Sequence, residues 1–185
     1  MKTVAALPES YSGTLTVTID DHEPHITARN VILCILAASV SNVNEASECI
    51  VHVWYSAFLR RSDLELLNVH VLPLVQEVCS KFEDESSDSL HPKTWQVGKC
   101  SIHLGMTKEA WQLLLSCLKL CLELTLEQAQ ALRLAAINDP KDQDICELIT
   151  LTKLSNHRVS VQRFKEDGNM LPFGDSCKAF VVPNP

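Results

Sequence analysis

The run VILCILAA, residues 31–38, most narrows what this chain can become. It lies in a segment of helical length, residues 25–39, and from Val31 onward that segment is apolar on almost every face. A helix with one apolar stripe can rest on a surface, whereas one that is apolar all round must be covered on several sides. The run is also far short of the ~20 apolar residues that span a bilayer. The chain is therefore expected to be soluble and to pack other elements around this helix. With 185 residues, 46% hydrophobic and 21% charged, it is long enough to do so as a single domain, residues 1–185.

The covering elements can be read in order. Residues 15–19, LTVTI, are rich in β-branched side chains and bounded by Ser12-Gly13 and Asp20-Asp21, which predicts a strand. Asp21-His22-Glu23-Pro24 then reads as a helix start, with an acidic cap and a proline in the first turn. A second helix over residues 44–59 carries Ile50, Val53, Trp54, Ala57 and Phe58 as one stripe. Ser62-Asp63 opens a third, with Pro73 inside it predicting a kink or break near Leu72. Residues 83–91 are acidic and serine-rich without periodicity, and are expected to form a mobile loop. Residues 95–104 fit a short strand or an extended lead-in. Thr107 opens a helix bearing Trp111, Leu114, Leu115 and Leu118. Thr125 with Gln128 forms a capping box for residues 125–137, and Asp139-Pro140 starts another helix reaching about Leu154. Residues 156–185 hold Asp167-Gly168, Leu171-Pro172-Phe173-Gly174 and a closing Pro183-Asn184-Pro185, which is turn chemistry rather than a long helix.

Charge and cysteine usage limit the function classes. A net charge of −7 opposes binding to nucleic acid or to an anionic membrane, and points to partner proteins with neutral or basic surfaces. Most of the eight cysteines sit in apolar helical runs, as in VILCIL, SECIV and LLLSCLKLCLEL, where a thiol behaves as a small hydrophobe. There is no CxxC, so neither a zinc knuckle nor a redox pair is signalled. Free, reduced cysteines imply the cytoplasm, or the nucleus. The opening MKTVAALPES has too short an apolar stretch for a signal peptide.

Catalytic constellations are missing. No GxSxG, P-loop or HExxH occurs, and five glycines allow few backbone cradles for phosphates or oxyanions. His22 with His25, and His52 with His70, lack metal-ligand spacing, and Cys117 with Cys121 has no second pair, so no metal site is expected. Two roles fit Asp21. At the end of a second strand in a doubly wound fold it would accept hydrogen bonds from a ribose. Otherwise it simply caps the helix, a role favoured by the lack of a glycine-rich loop upstream of LTVTI. Trp54, Tyr55 and Phe58 are residue types that anchor interfaces, although a stripe at helical spacing is more often core. Arg29, just before the apolar run, is expected to pair with Asp21, Glu166 or Asp167, and Arg158 and Arg163 to tie the tail to the helical body.

TVTIDDHEPHITARNVILCIL followed by VHVWYSAFL resembles the uncharacterised N-terminal domain of the axonemal dynein assembly factor three family. TKEAWQLL, NHRVSVQRFKEDGNMLPFG and FVVPNP resemble the closing blocks of its fungal branch, where the domain often accompanies a MYND zinc finger. The resemblance runs through most of the chain in order. It implies a methyltransferase-like domain in which LTVTIDD is the second strand. On that reading the chain starts inside the first helix, lacks the first strand and the finger, and is a shortened form of the family's domain. The fold expected is thus α/β and helix-rich, an incomplete Rossmann-like sheet with additional helices. An edge exposed by a missing strand favours a homodimer. The function expected is a non-catalytic protein-interaction or assembly-factor domain needing no cofactor. The alternative is an S-adenosylmethionine-dependent methyltransferase-like domain, with Asp21 toward the ribose and cofactor binding retained or degenerate.

Overall fold

The computed structural model describes residues 6–8, 10–82, 86–97, 100–137, 152, 154–171 and 176–185. Helix α1 (Pro24–Ser39) places Pro24 in its first turn, where the missing N–H costs nothing. Helix α2 (Val43–Tyr55) is capped by Asn42, whose side-chain oxygen accepts the N–H groups of Asn44 and Glu45 at 3.1 and 3.4 Å. It ends at Tyr55, four residues earlier than the stripe predicted, and strand β1 (Phe58–Arg60) follows. Phe58 is buried in that strand rather than on a helix.

The third helical stretch shows how proline is accommodated. Helix α3 (Arg61–Leu66) passes through a π turn (Leu67–Val71) into α4 (Leu72–Cys79). Leu72 N–H reaches back to Leu67 O across the wider turn. The widened turn takes up the irregularity that Pro73 forces by lacking an N–H and crowding the preceding turn. The kink or break expected near Leu72 takes the form of this π turn, through which the helical stretch continues.

Residues 95–104 resolve into a hairpin, β2 (Leu90–Val97) with β3 (Cys100–Thr107), paired antiparallel from Leu90↔Thr107 to Val97↔Cys100. It covers the core through alternate residues, Trp95 and Met106 among them. Trp95 meets Trp111 of helix α5 (Lys108–Glu123) edge-to-face at 5.8 Å, and Trp111 Nε1 donates to His91 O at 3.1 Å. Within the expected acidic loop, residues 83–85 lie outside the described residues. Ser86–Ser89 forms a turn tied by Ser89 N–H to Ser86 O, and β2 already begins at Leu90.

Helix α6 (Leu126–Ile137) opens with the predicted capping box, Gln128 N–H to Thr125 Oγ1 at 3.2 Å and Thr125 N–H to Gln128 Oε1 at 3.0 Å. The helix expected from Asp139 falls mostly outside the described residues. The tail was expected to hold turns rather than a long helix, and the structure corrects this: Ser155–Asp167 is a 13-residue helix, α7. Its surface is largely polar and exposed, so it lacks the apolar period by which a helix is recognised. Asp167-Gly168 is its terminus. Strand β4 (Phe180–Pro183) closes the chain and pairs antiparallel with β1, with a register shift between Leu59 and Arg60.

The apolar helix is sandwiched as its sequence requires, with α1 in contact with α2, α5, the π turn and β3. Ile35, Leu36, Leu59, Leu67, Val71, Trp111 and Leu114 are almost wholly buried in one continuous core. The class is mixed α/β and helix-rich, as expected. The strands form two antiparallel pairs, β1 with β4 and β2 with β3, so the described residues contain no parallel unit of a Rossmann-like sheet. LTVTI is corrected as well. It forms no strand among the described residues, and Leu15, Val17 and Ile19 are about half exposed. β-Branched residues favour extended backbone, but a strand needs a neighbour to complete its hydrogen bonds. No helix of the described residues is long and apolar enough to cross a membrane.

Candidate functional site

The densest polar chemistry lies under the C-terminal half of α2. His52 faces Asp63 of α3, and its Nδ1 donates to Asp63 Oδ2 at 3.0 Å, since a carboxylate at that distance can only accept. Asp63, fully buried, also accepts Arg60 N–H at 3.0 Å, Arg60 Nε at 3.1 Å and Arg60 Nη2 at 2.9 Å. Arg60 Nη1 continues to Glu48 at 3.0 Å. Burial works to raise the Asp63 pKa. The hydrogen bonds from His52 and Arg60 outweigh it and hold the carboxyl at about 2. Cys49 lies beside it, its thiol pushed up to about 12 by burial and then by the Asp63 charge. The sequence placed Asp63 at a helix start with Ser62. The structure puts it in the first turn of α3, accepting the N–H of Arg60, and a carboxylate three residues after the cap position was the one available signal.

This cluster is braced by the tail. The His52 ring meets Phe180 edge-to-face at 4.8 Å. Asn184 Nδ2 donates to Val53 O at 2.9 Å, Ser56 O at 2.5 Å and, more weakly, His52 O at 3.4 Å, closing the open end of α2. Met170 N–H donates to Ser56 Oγ at 2.9 Å, Ala57 N–H to Gly168 O at 2.6 Å, and Asn184 N–H to Ala57 O at 3.0 Å. Three separated segments, WYSAF, DGNM and PNP, therefore converge on Ser56-Ala57.

Above this base a cleft of about 540 Å³ opens between Glu48, Val51 and His52 on one side and Met170, Leu171 and Phe180 on the other. Beside it on the same helix, Trp54 and Tyr55 are each 48% exposed and stacked in parallel, ring centres 5.3 Å apart. Val51 and Met170 add further exposed apolar surface.

The remaining sequence candidates are spread out. Asp21 uses Oδ1 to accept Glu23 N–H at 2.9 Å, and its carbonyl accepts Thr27 Oγ1 at 3.1 Å, so it shapes the start of α1. It also lines a cleft of about 240 Å³ with Val17, Ile19 and the edge of β3. That volume lies below the ~300–1,000 Å³ usual for ligand pockets, and the carboxylate is already engaged. The residues present do not fit an adenosine-bearing cofactor well. Arg29 is exposed and makes no ion pair among the described residues, and Arg158 is exposed on α7. Asp167 meets Arg163 at 3.4 Å. Arg133 of α6, which sequence reasoning missed, ties α7 to the body. Its guanidinium donates to Phe164 O and Lys165 O at 2.8 and 2.6 Å, at the electronegative end of α7.

The fold and site thus define a mixed α/β domain with a buried ion cluster beneath an aromatic surface. A family model described as Domain of unknown function (DUF4470) matches residues 1–59, the stretch that holds LTVTI, α1, α2 and most of β1. No curated protein and no solved structure matches the chain.

Proposed function

We propose that this is a non-catalytic protein-interaction domain that presents the outward face of α2 to a partner. The observation that carries the reading is the stacked, half-exposed pair Trp54–Tyr55 beside Val51 and Met170. Exposed aromatic surface on a stiff support is the composition of an interface anchor. The His52–Asp63–Arg60 cluster and the Asn184 cap supply the support. The net charge of −7 favours a neutral or basic partner surface. The resemblance to the dynein assembly factor family, in its fungal MYND-associated branch, favours an assembly or scaffolding role. The free state of Cys34, Cys49, Cys79, Cys100, Cys117 and Cys177 is in keeping with a reducing compartment, the cytoplasm or nucleus.

The test is capture of partners by the intact protein from its own cells. Replacing Trp54→Ala with Tyr55→Ala should abolish capture and leave the melting temperature unchanged. Undiminished capture by the double variant would overturn the reading.

A second reading, an S-adenosylmethionine-dependent methyltransferase-like domain with cofactor binding retained or degenerate, rests on the family resemblance, the small cleft that Asp21 lines counting against it. Calorimetry decides it. Saturable heat with S-adenosylmethionine at millimolar concentration, lost in Asp21→Ala, would establish that reading, and no heat would dispose of it.

A further inference from the structure

A third cleft, between α6, the end of α7 and β4, differs from the others in the chemistry of its wall. It encloses about 560 Å³. Its apolar part includes Phe58 and Phe180, 5% and 6% exposed, with Ala131 and Leu134 from α6. Its charged groups are Glu127, Glu166 and Asp167, and its amides are Gln130 and Asn169. The amides decide the argument. Asn169 is 7% exposed, and both Asn169 Oδ1 and Gln130 Oε1 are withdrawn from solvent with no donor. A buried acceptor without a donor costs ~1–3 kcal/mol, so two in one wall mark a place where a donor is wanted. The carboxylates are only partly compensated. Asp167 meets Arg163 at a long 3.4 Å, Glu166 accepts from Gln162 Nε2 at 2.8 Å, and Glu127 makes no ion pair among the described residues.

The two side-chain atoms withdrawn from solvent without a partner here are both oxygens, so a matching group must donate to them. The lysine ammonium and the arginine guanidinium donate without accepting, and their methylene stems lie well along apolar surface. A metal ion is poorly served, because no three His, Cys, Asp or Glu side chains among the described residues converge closely enough to hold one. A phosphate would face the three carboxylates Glu127, Glu166 and Asp167. We propose that this cleft receives a lysine or arginine side chain from a basic segment of the partner protein. The proposal rests on the interaction role given above and says where the partner's charge is recognised.

The experiment is a titration of the isotope-labelled full chain followed by NMR, read at the side-chain amides of Gln130 and Asn169. The probes are acetylated, amidated tripeptides with lysine, arginine or norleucine between two alanines, and n-butylamine. The lysine and arginine peptides should shift both amides saturably, and norleucine should not. Glu127→Gln should weaken the effect about two- to fivefold, the scale of one partly exposed ion pair. Gln130→Leu, which removes an orphaned oxygen while keeping a helix-forming residue, should weaken it further. n-Butylamine, which carries the same ammonium on the same four-carbon stem as lysine, should also shift both amides, and equal shifts with norleucine would overturn the assignment. If both amides stay unmoved while partners are still captured through Trp54 and Tyr55, the cleft assignment fails by itself and the interaction role stands.

Discussion

Asp63 joins α2, β1 and α3 through one carboxylate, and its burial makes each of its bonds matter. Asp63→Asn removes the charge and one of the two acceptor oxygens that Arg60 and His52 use, and a loss of ~3–5 kcal/mol is expected from urea unfolding. The same group sets an acid limit. Its folded pKa of about 2 lies below the ordinary 3.8, so its contribution is fully present above about pH 4 and is lost as pH falls toward 2. That gap corresponds to about 2 kcal/mol. Unfolding followed from pH 6 down to about pH 2 should show this decline, and the Asp63→Asn variant should show a correspondingly flatter profile. A profile in the variant as steep as in the parent would refute the assignment. None of this was visible in the sequence, where Asp63 read as one more acidic residue at a helix start. Burial depends on what packs around a residue, and here its partner His52 is covered by Phe180, 117 positions further along the chain than Asp63.

Among the elements, α7 shows where local reading stops. Asp167-Gly168 was read as turn chemistry, and locally it is one, with Gly168 in the left-handed region at φ +76°. What was missed is the helix that it ends, because an exposed polar helix carries no apolar period. Two independent constraints hold glycine at this position. A side chain there is strained by the backbone, and a Cβ would sit 2.5 Å from Arg133 Nε and 3.1 Å from Ala57 Cβ. Gly168→Ala should therefore cost more than the ~1–2 kcal/mol of the left-handed conformation alone. Hydrogen exchange should also quicken in α7 and around Ser56-Ala57 before it does in α1. Uniform loosening of all helices would contradict that picture. Capping signals, by contrast, were legible wherever the bonding is local: Thr125 with Gln128 closes on itself within four residues.

At the scale of the molecule, the division between inside and outside governs both chemistry and recognition. Cys49, buried, has its thiol pushed up to about 12, whereas Cys100 is exposed on the hairpin. Brief alkylation of the native protein at mildly alkaline pH, read by mass spectrometry, should label Cys100 and spare Cys49 until the fold is opened by denaturant. Early labelling of Cys49 would contradict the packing of α2 on α3. The same division leaves Trp54 and Tyr55 outside while their neighbours His52 and Val53 are buried, so of the stripe read from the sequence only Trp54 is exposed.

The sequence by itself determined the elements whose signals are short-range. The all-round apolarity of α1 required a sandwiched helix, Pro73 foretold an irregularity near Leu72, and caps and composition made the class mixed and helix-rich. Only the tertiary structure decided what pairs with what. LTVTI has the residues of a strand yet finds no ladder, β1 finds its partner in the closing FVVP, and DGNM and PNP meet at Ser56-Ala57. A hydrogen bond inside one turn is fixed by a few neighbouring residues. A strand pair, a buried carboxylate or an orphaned amide depends on segments far apart in the chain that only packing brings together.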